Sequence, residues 1–356
     1  MRIAIDILHP AHVHFFKNFY FQMKERGHEF LITAREKDGA TNLLDELAIP
    51  FHLISRSSRG GVRQAVEFAR RSLAFARLMR RFKPDVLTGI MGPTIAVVGK
   101  IIRRPVYVFY DTEFAKTTNR FVYPMSTKVV TPTCYQGDVG DNQLTYPGYH
   151  ELAYLHPNRF SPDADAVRRG GIDPDHSYAV VRFVGWWATH DRNECGLTLD
   201  QKISLVRELK QRMNVVITAE GEVPEEVAAD VYRGPIENMH HVLAGADLYF
   251  GESATMASES AVLGTPAIYI AKSGRGYTDD EANYGLVHNF DNTQFDKALA
   301  KAIELADNSE PSAVAAARDR MLAEKIDVTQ FMIDLFESDF ATPVEAASLA
   351  CAKTVN

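Results

Sequence analysis

Cysteine is scarce. Cys134, Cys195 and Cys351 are the only three, far apart and with no Cys-x-x-Cys pair. This excludes a disulfide framework and a thiolate zinc site, and it suits a reducing compartment. No apolar run approaches the roughly 20 residues that span a bilayer. A strand predicted from residue 2 leaves no room for a signal peptide, so a cytoplasmic address is expected. The chain also lacks an overall basic balance: its net charge is −7, which speaks against a nucleic-acid partner. Internal repeats and low-complexity tracts are missing too.

What is present is the composition of a folded protein, with 46% hydrophobic and 24% charged residues over 356 positions. That length suits two domains. Positive charge is concentrated between Arg56 and Lys83, where nine basic residues face one acid, Glu67. On a helical wheel Arg63, Arg70, Arg77 and Arg81 fall together with Arg71 nearby, and Val66, Leu73, Phe75 and Met79 take the other side. A solvated amphipathic helix over 62–83 is one expectation. A peripheral contact with anionic lipid or a polyanionic acceptor is the other.

Strand-length apolar runs alternate with helix-period segments almost throughout. "RIAIDIL", "HEFLITA", "DVLTGI" and "PVYVFYD" read as strands, and so do "SYAVVRFV", "NVVITAE", "ADLYFGE" and "TPAIYIA". Helices between them predict an α/β protein with parallel sheets covered on both faces. Residues 136–177, rich in Gly, Pro, Asp and Asn, read as a linker with turns. The expected division is therefore 1–155, 156–337 and a loose tail at 338–356.

Ligands of such sheets sit beyond the carboxyl ends of the strands. The first end carries His9, His12 and His14 in "LHPAHVH". A metal would need further ligands, and the remaining histidines show no matching pattern. His12, at the first turn of a helix begun by Pro10, is the one expected to face reactants. "VFYDTEF" puts Asp111 and Glu113 after a strand, as a general base or as a helix cap. "GESATMASES" follows Glu252 with Ser253, Ala254 and Thr255, whose small side chains let a diphosphate reach the amides of a helix start. Glu259, a turn on, suits a ribose. Arg182 and His190 add charge near phosphates, and "SGRGYTDDEANYG", with Arg275, suits a sugar or base.

Together these stretches resemble the GT-B superfamily of nucleotide-sugar glycosyltransferases and UDP-N-acetylglucosamine 2-epimerases. The nearest likeness is to an uncharacterised bacterial and archaeal family, a numbered domain of unknown function. It rests on "IDILHPAHVHFF", "YDTE", "ELAYLHPNRFSPD", "VRFVGWWATHD", "GESATMASESAVLGTPAIYI" and "SGRGYTDD". "PAHVHFFKNFYFQMKERGHE" is similar to the first loop and helix of the lipid II-forming N-acetylglucosaminyltransferase, which puts His12 and Glu259 on matching positions. The stretch ending at Asp111 and Glu113 is similar to one that carries an epimerase's catalytic glutamate, but Ile90–Thr94 lacks the epimerase's aspartate.

The resemblance implies two Rossmann-like, doubly wound domains facing across a cleft. It implies a metal-independent glycosyltransferase that takes a nucleoside-diphosphate sugar as substrate and needs no cofactor. A glycan or lipid-linked acceptor of cell-surface synthesis is expected, and the basic helix suggests that it is met at the inner face of the membrane. Its catalytic residues would be His12, Asp111 and Glu113. Its substrate contacts would be Arg182, His190, Glu252, Ser253, Ala254, Thr255, Glu259 and Arg275. The rivals are a UDP-sugar 2-epimerase, a metal-dependent hydrolase built on His9, His12 and His14, and a silent sugar-nucleotide binder.

Overall fold

The computed structural model describes residues 1–36, 39–56, 61–113, 115–184, 196–221, 223–272, 274–308 and 310–340. It divides into two compact units, Met1–Tyr154 with Ile326–Asn356, and Leu155–Lys325.

Unit 1 runs β1 (Arg2–Ile7), α1 (Pro10–Glu25), β2 (Glu29–Glu36), α2 (Ala40–Glu46), β3 (His52–Arg56), α3 (Gly61–Phe82), β4 (Val86–Ile90), α4 (Pro93–Ile102), β5 (Val106–Phe109), α5 (Lys116–Val122), β6 (Lys128–Pro132), β7 (Gln143–Tyr146) and α6 (Leu152–Leu155). Its seven strands are parallel, in the order β3-β2-β1-β4-β5-β6-β7. The chain winds from β1 toward β3, then returns across β4 to β7. Right-handed crossovers therefore put α1 and α2 on one face and α3, α4 and α5 on the other. Strand order reverses between β1 and β4, so their carboxyl ends form a switch point.

Unit 2 contains α7 (Ala164–Arg169), β8 (Tyr178–Phe183), α8 (Leu199–Lys210), β9 (Asn214–Ala219), α9 (Met239–Ala244), β10 (Leu248–Gly251), α10 (Ala254–Leu263), β11 (Ala267–Ile270), α11 (Gly276–Asn283), β12 (Val287–Phe290), α12 (Phe295–Asp307) and α13 (Pro311–Glu324). Five parallel strands lie in the order β12-β11-β10-β8-β9. Central strands such as β8 and β10 are buried on both faces, as their unbroken apolar runs require.

Three expectations are corrected. The stretch 136–177 is more than linker, since it supplies β7, α6 and α7. The sequence pattern over 312–337 reads as one helix, but the structure breaks it at Lys325–Asp327. The last helix, α14 (Val328–Phe340), belongs to unit 1, so the second domain ends at Lys325 rather than 337. Apolar packing draws it back: Phe336 is fully buried, with its ring 5.0 Å from Phe19 and 5.4 Å from Tyr107. Polar ties hold its end, where the Tyr107 hydroxyl donates to Asp339 at 2.7 Å and Arg26 pairs with Glu337 at 2.8 Å. The remainder of the expected tail, 341–356, lies outside the described residues.

Candidate functional site

At the carboxyl edge of unit 1 the three early histidines take separate tasks. His9 caps α1, its Nδ1 accepting the Ala11 amide at 3.2 Å. His12 is buried, and its Nδ1 accepts the Leu8 amide at 3.4 Å. His14 stacks on Tyr154, centroid to centroid 5.3 Å. Among the described residues no three metal-ligating side chains converge.

Asp111, just beyond β5, is brought to His150, a residue the sequence reading passed over. Asp111 Oδ2 lies 3.0 Å from His150 Nδ1, and Oδ1 accepts the Thr112 hydroxyl at 2.9 Å. His150 is 5% exposed, and the Phe15 ring of α1 sits 4.5 Å from its imidazole. Its Nε2 has no hydrogen-bond partner among the described residues. A carboxylate on Nδ1 orients the imidazole, and Nε2, which is shielded from solvent here, can take a proton only from a group admitted to that buried position. Glu113 turns elsewhere: its carboxylate accepts the Gln136 amide at 3.4 Å and its carbonyl accepts Asn119 at 3.4 Å. His150 was hidden because β7 is four residues long and sits in a stretch read as linker. Once β7 is recognised, "GYHE" stands at a strand's carboxyl end.

In unit 2 the corresponding edge is the β10–α10 turn. Ser253 is the N-cap of α10, its hydroxyl accepting the Met256 amide at 3.3 Å, while Ala257 donates to the Ser253 carbonyl at 3.0 Å. The amides of Ala254 and Thr255 precede the first intrahelical bond, so the helix offers them no acceptor. Ser253, Thr255 and Met256 are partly exposed, and the turn is not sealed in the core. Gly251 lets β10 close on β8, since a Cβ there would lie 2.7 Å from the Cβ of Arg182.

The other expected contacts are occupied within the fold. Arg182 pairs with Glu220. Glu252 is 3% exposed, and its two oxygens accept the amides of Val184 at 3.0 Å and Leu197 at 2.7 Å, bracing the backbone on either side of 185–195. His190 lies outside the described residues. Glu259 is 6% exposed, with Oε1 3.0 Å from Nε2 of His240 on α9. Arg275 stands at the N-cap position of α11 without a side-chain capping bond, and its guanidinium donates to the Gly274 carbonyl at 3.0 Å.

Behind this turn Glu281 on α11 is fully buried. The Ser258 hydroxyl lies 2.5 Å from its Oε1, and Oε2 has no partner among the described residues. Burial pushes the carboxyl from 4.5 to about 8, against the pull of Ser258. The native state thus holds a proton that the unfolded chain has released, so this contribution is whole below pH 4.5 and is lost as pH rises through about 8. Glu281→Gln keeps a neutral partner for Ser258. It is expected to flatten the pH dependence of urea stability across that window, and to exceed the wild type on its alkaline side by several kcal/mol, on the order of 5 at most. An unaltered pH profile would contradict this.

The comparisons agree with this architecture. Over 280 residues the chain is 22% identical to the uncharacterized protein MJ0665 of Methanocaldococcus jannaschii, covering 75% of this chain and 80% of that one. A putative UDP-N-acetylglucosamine 2-epimerase from Listeria monocytogenes superposes with a TM-score of 0.69 at 10% identity, covering 96% of both chains. The spinosyn rhamnosyltransferase SpnG, complexed with spinosyn aglycone, superposes with a TM-score of 0.61 at 15% identity, covering 94% of this chain and all of that one. The fold is that of GT-B proteins. A family model described as "Protein of unknown function (DUF354)" matches residues 1–275, and the chain belongs to that family.

Proposed function

We propose that this protein is a glycosyltransferase that moves a sugar from a nucleoside diphosphate to a hydroxyl acceptor. The observation that carries the reading is the entry to α10: partly exposed small residues and two amides that the helix leaves without acceptors, at the carboxyl end of a central strand. That arrangement suits a pyrophosphate, whose charge also meets the positive end of the helix dipole. Unit 2 would hold the donor there, and amides and dipole would stabilise the departing diphosphate. In unit 1 the acceptor's proton would pass to His150 Nε2 while Asp111 keeps Nδ1 protonated. The acceptor oxygen bonds to the anomeric carbon as its bond to the diphosphate breaks. A glycan or lipid-linked alcohol is the acceptor class proposed.

A thermal-shift screen against nucleoside diphosphates tests the donor side, with Thr255→Asp as the probe. An acid in the first turn favours the helix but repels a diphosphate. Thr255→Asp should therefore keep or raise the melting temperature without ligand and weaken diphosphate binding more than ~10-fold. Equal binding by wild type and variant would remove α10 from the site.

The structural likeness to the epimerase favours a second reading, reversal at C2 of a UDP-sugar. Incubation with UDP-N-acetylglucosamine in deuterated water separates the two. Epimerisation incorporates deuterium at C2, and transfer does not.

A further inference from the structure

The helical face of unit 1 formed by α3, α4 and α5 carries a combination that neither the core nor the carboxyl-edge site requires. Of eight large hydrophobics exposed among the described residues, four lie on it: Val66 at 44%, Leu73 at 58%, Ile101 at 65% and Phe121 at 49%. On α3 the exposed positions Arg63, Val66, Arg70, Leu73, Arg77 and Arg81 follow one another at intervals of three and four, so charge and apolar bulk share one stripe. The sequence reading had set Val66 and Leu73 on the opposite side and Arg71 with the other arginines. In the structure Arg71 is 3% exposed and turns inward. The one acid of the helix, Glu67, is held by Arg35 through two bonds of 2.8 and 2.9 Å.

Two hollows border this layer, one at each end of α4. One of about 530 Å³ is lined by Lys100, Arg103, Arg104, Ser126 and Thr127 among others. The second, also about 530 Å³, has Phe68 of α3 and Phe121 of α5 flanking Pro93, with Arg120 at its side. No described carboxylate lines either hollow.

From this we infer that the α3–α4–α5 face docks peripherally on an anionic lipid surface. The protruding apolar side chains enter the headgroup boundary, and the arginines beside them pair with phosphates while their stems cover apolar area. The hollow of Lys100, Arg103 and Arg104 takes a phosphate headgroup, which a guanidinium fork matches. Charge selects the occupant: Arg63, Arg70, Arg77, Arg80 and Arg81 of α3 are exposed, as are Lys100, Arg103, Arg104 and Arg120, in a chain of net −7. Nucleic acid would use the charges but gain nothing from Leu73, Ile101 and Phe121. No helix of the described residues is long and apolar enough to cross a membrane, so contact on this face would be at the surface. The inference does not depend on the proposed glycosyl transfer.

Co-sedimentation with vesicles decides it. The full chain should bind phosphatidylglycerol–phosphatidylcholine vesicles, release them as salt rises, and ignore vesicles of phosphatidylcholine alone. Arg70→Gln/Arg77→Gln should weaken binding roughly 25-fold, about fivefold for each charge removed. Leu73→Asp and Phe121→Asp should each weaken it at least ~fivefold. These side chains are exposed, so the melting temperature should hold in all three variants. Several results would overturn the inference: no binding to the anionic vesicles, binding indifferent to Leu73→Asp and Phe121→Asp, displacement by millimolar inorganic phosphate, or a dimer in solution that the same substitutions dissolve.

Discussion

Replacing His150 with Gln should lower kcat by roughly 10²- to 10⁴-fold, the range a positioned general base supplies, and leave nucleoside-diphosphate binding unchanged. The argument is geometric. His150 Nδ1 is 3.0 Å from Asp111 Oδ2, and Phe15 packs on the ring, so two elements fix its orientation. A carboxylate in that position keeps the proton on Nδ1 and leaves Nε2 to take one from the acceptor hydroxyl. Gln fills similar space but takes up no proton. The activity to follow is release of diphosphate from whichever nucleotide sugar stabilises the protein. Because the proposed donor amides lie on α10 in the other unit, KM for the donor should stay near the wild-type value. Asp111→Asn should cost less, since an amide oxygen can still accept from Nδ1 but carries no charge to favour the imidazolium. Should Glu113→Gln reduce kcat further than His150→Gln, the proton acceptor would be Glu113. If His12→Gln does so, it would be the helix-start histidine.

Much of the architecture could be read from the chain because its physical cause is local. Parallel strands buried on both faces leave runs such as "RIAIDIL" and "ADLYFGE", and helices leave a different period. The turn from β10 into α10 was legible for the same reason, with Ser253 ahead of small residues. Three features were not legible, and each is a tertiary effect. Strand β7 is too short to carry periodicity and pairs along only one side, with β6. Helix α14 has ordinary amphipathic spacing, and only the pocket offered by Phe19 and Tyr107 tells it which unit to join. Side chains expected to face a ligand also have partners within the fold: Glu252 with two backbone amides, Glu259 with His240, and Arg182 with Glu220. Carboxylates and arginines at strand ends look alike in sequence whether they serve a ligand or a neighbouring loop. Near-complete burial against a bonded partner marks the second kind.

Arg71 makes that separation measurable. Its guanidinium lies 2.5 Å from Asp6 Oδ1, where Thr33 also donates at 2.6 Å, and it reaches Ser55 at 3.1 Å. Asp6 is 1% exposed and sits on β1 beside the switch point, so Arg71 is the cation that pairs with it in the interior. Arg71→Met should therefore destabilise unit 1 by about 3–5 kcal/mol in urea denaturation, because it strands a buried carboxylate. Adding Asp6→Asn should restore most of that loss, since the desolvated charge is removed with its partner. A loss below about 1 kcal/mol for Arg71→Met, or no recovery in the double variant, would show that the pair does not carry this energy. The same variant also divides the basic helix by function. Arg71→Met should leave vesicle binding untouched at temperatures where the protein is folded, whereas the exposed pair Arg70 and Arg77 should do the reverse, altering binding without altering stability. One turn of α3 would then hold adjacent arginines, one committed to the sheet and one to the surface.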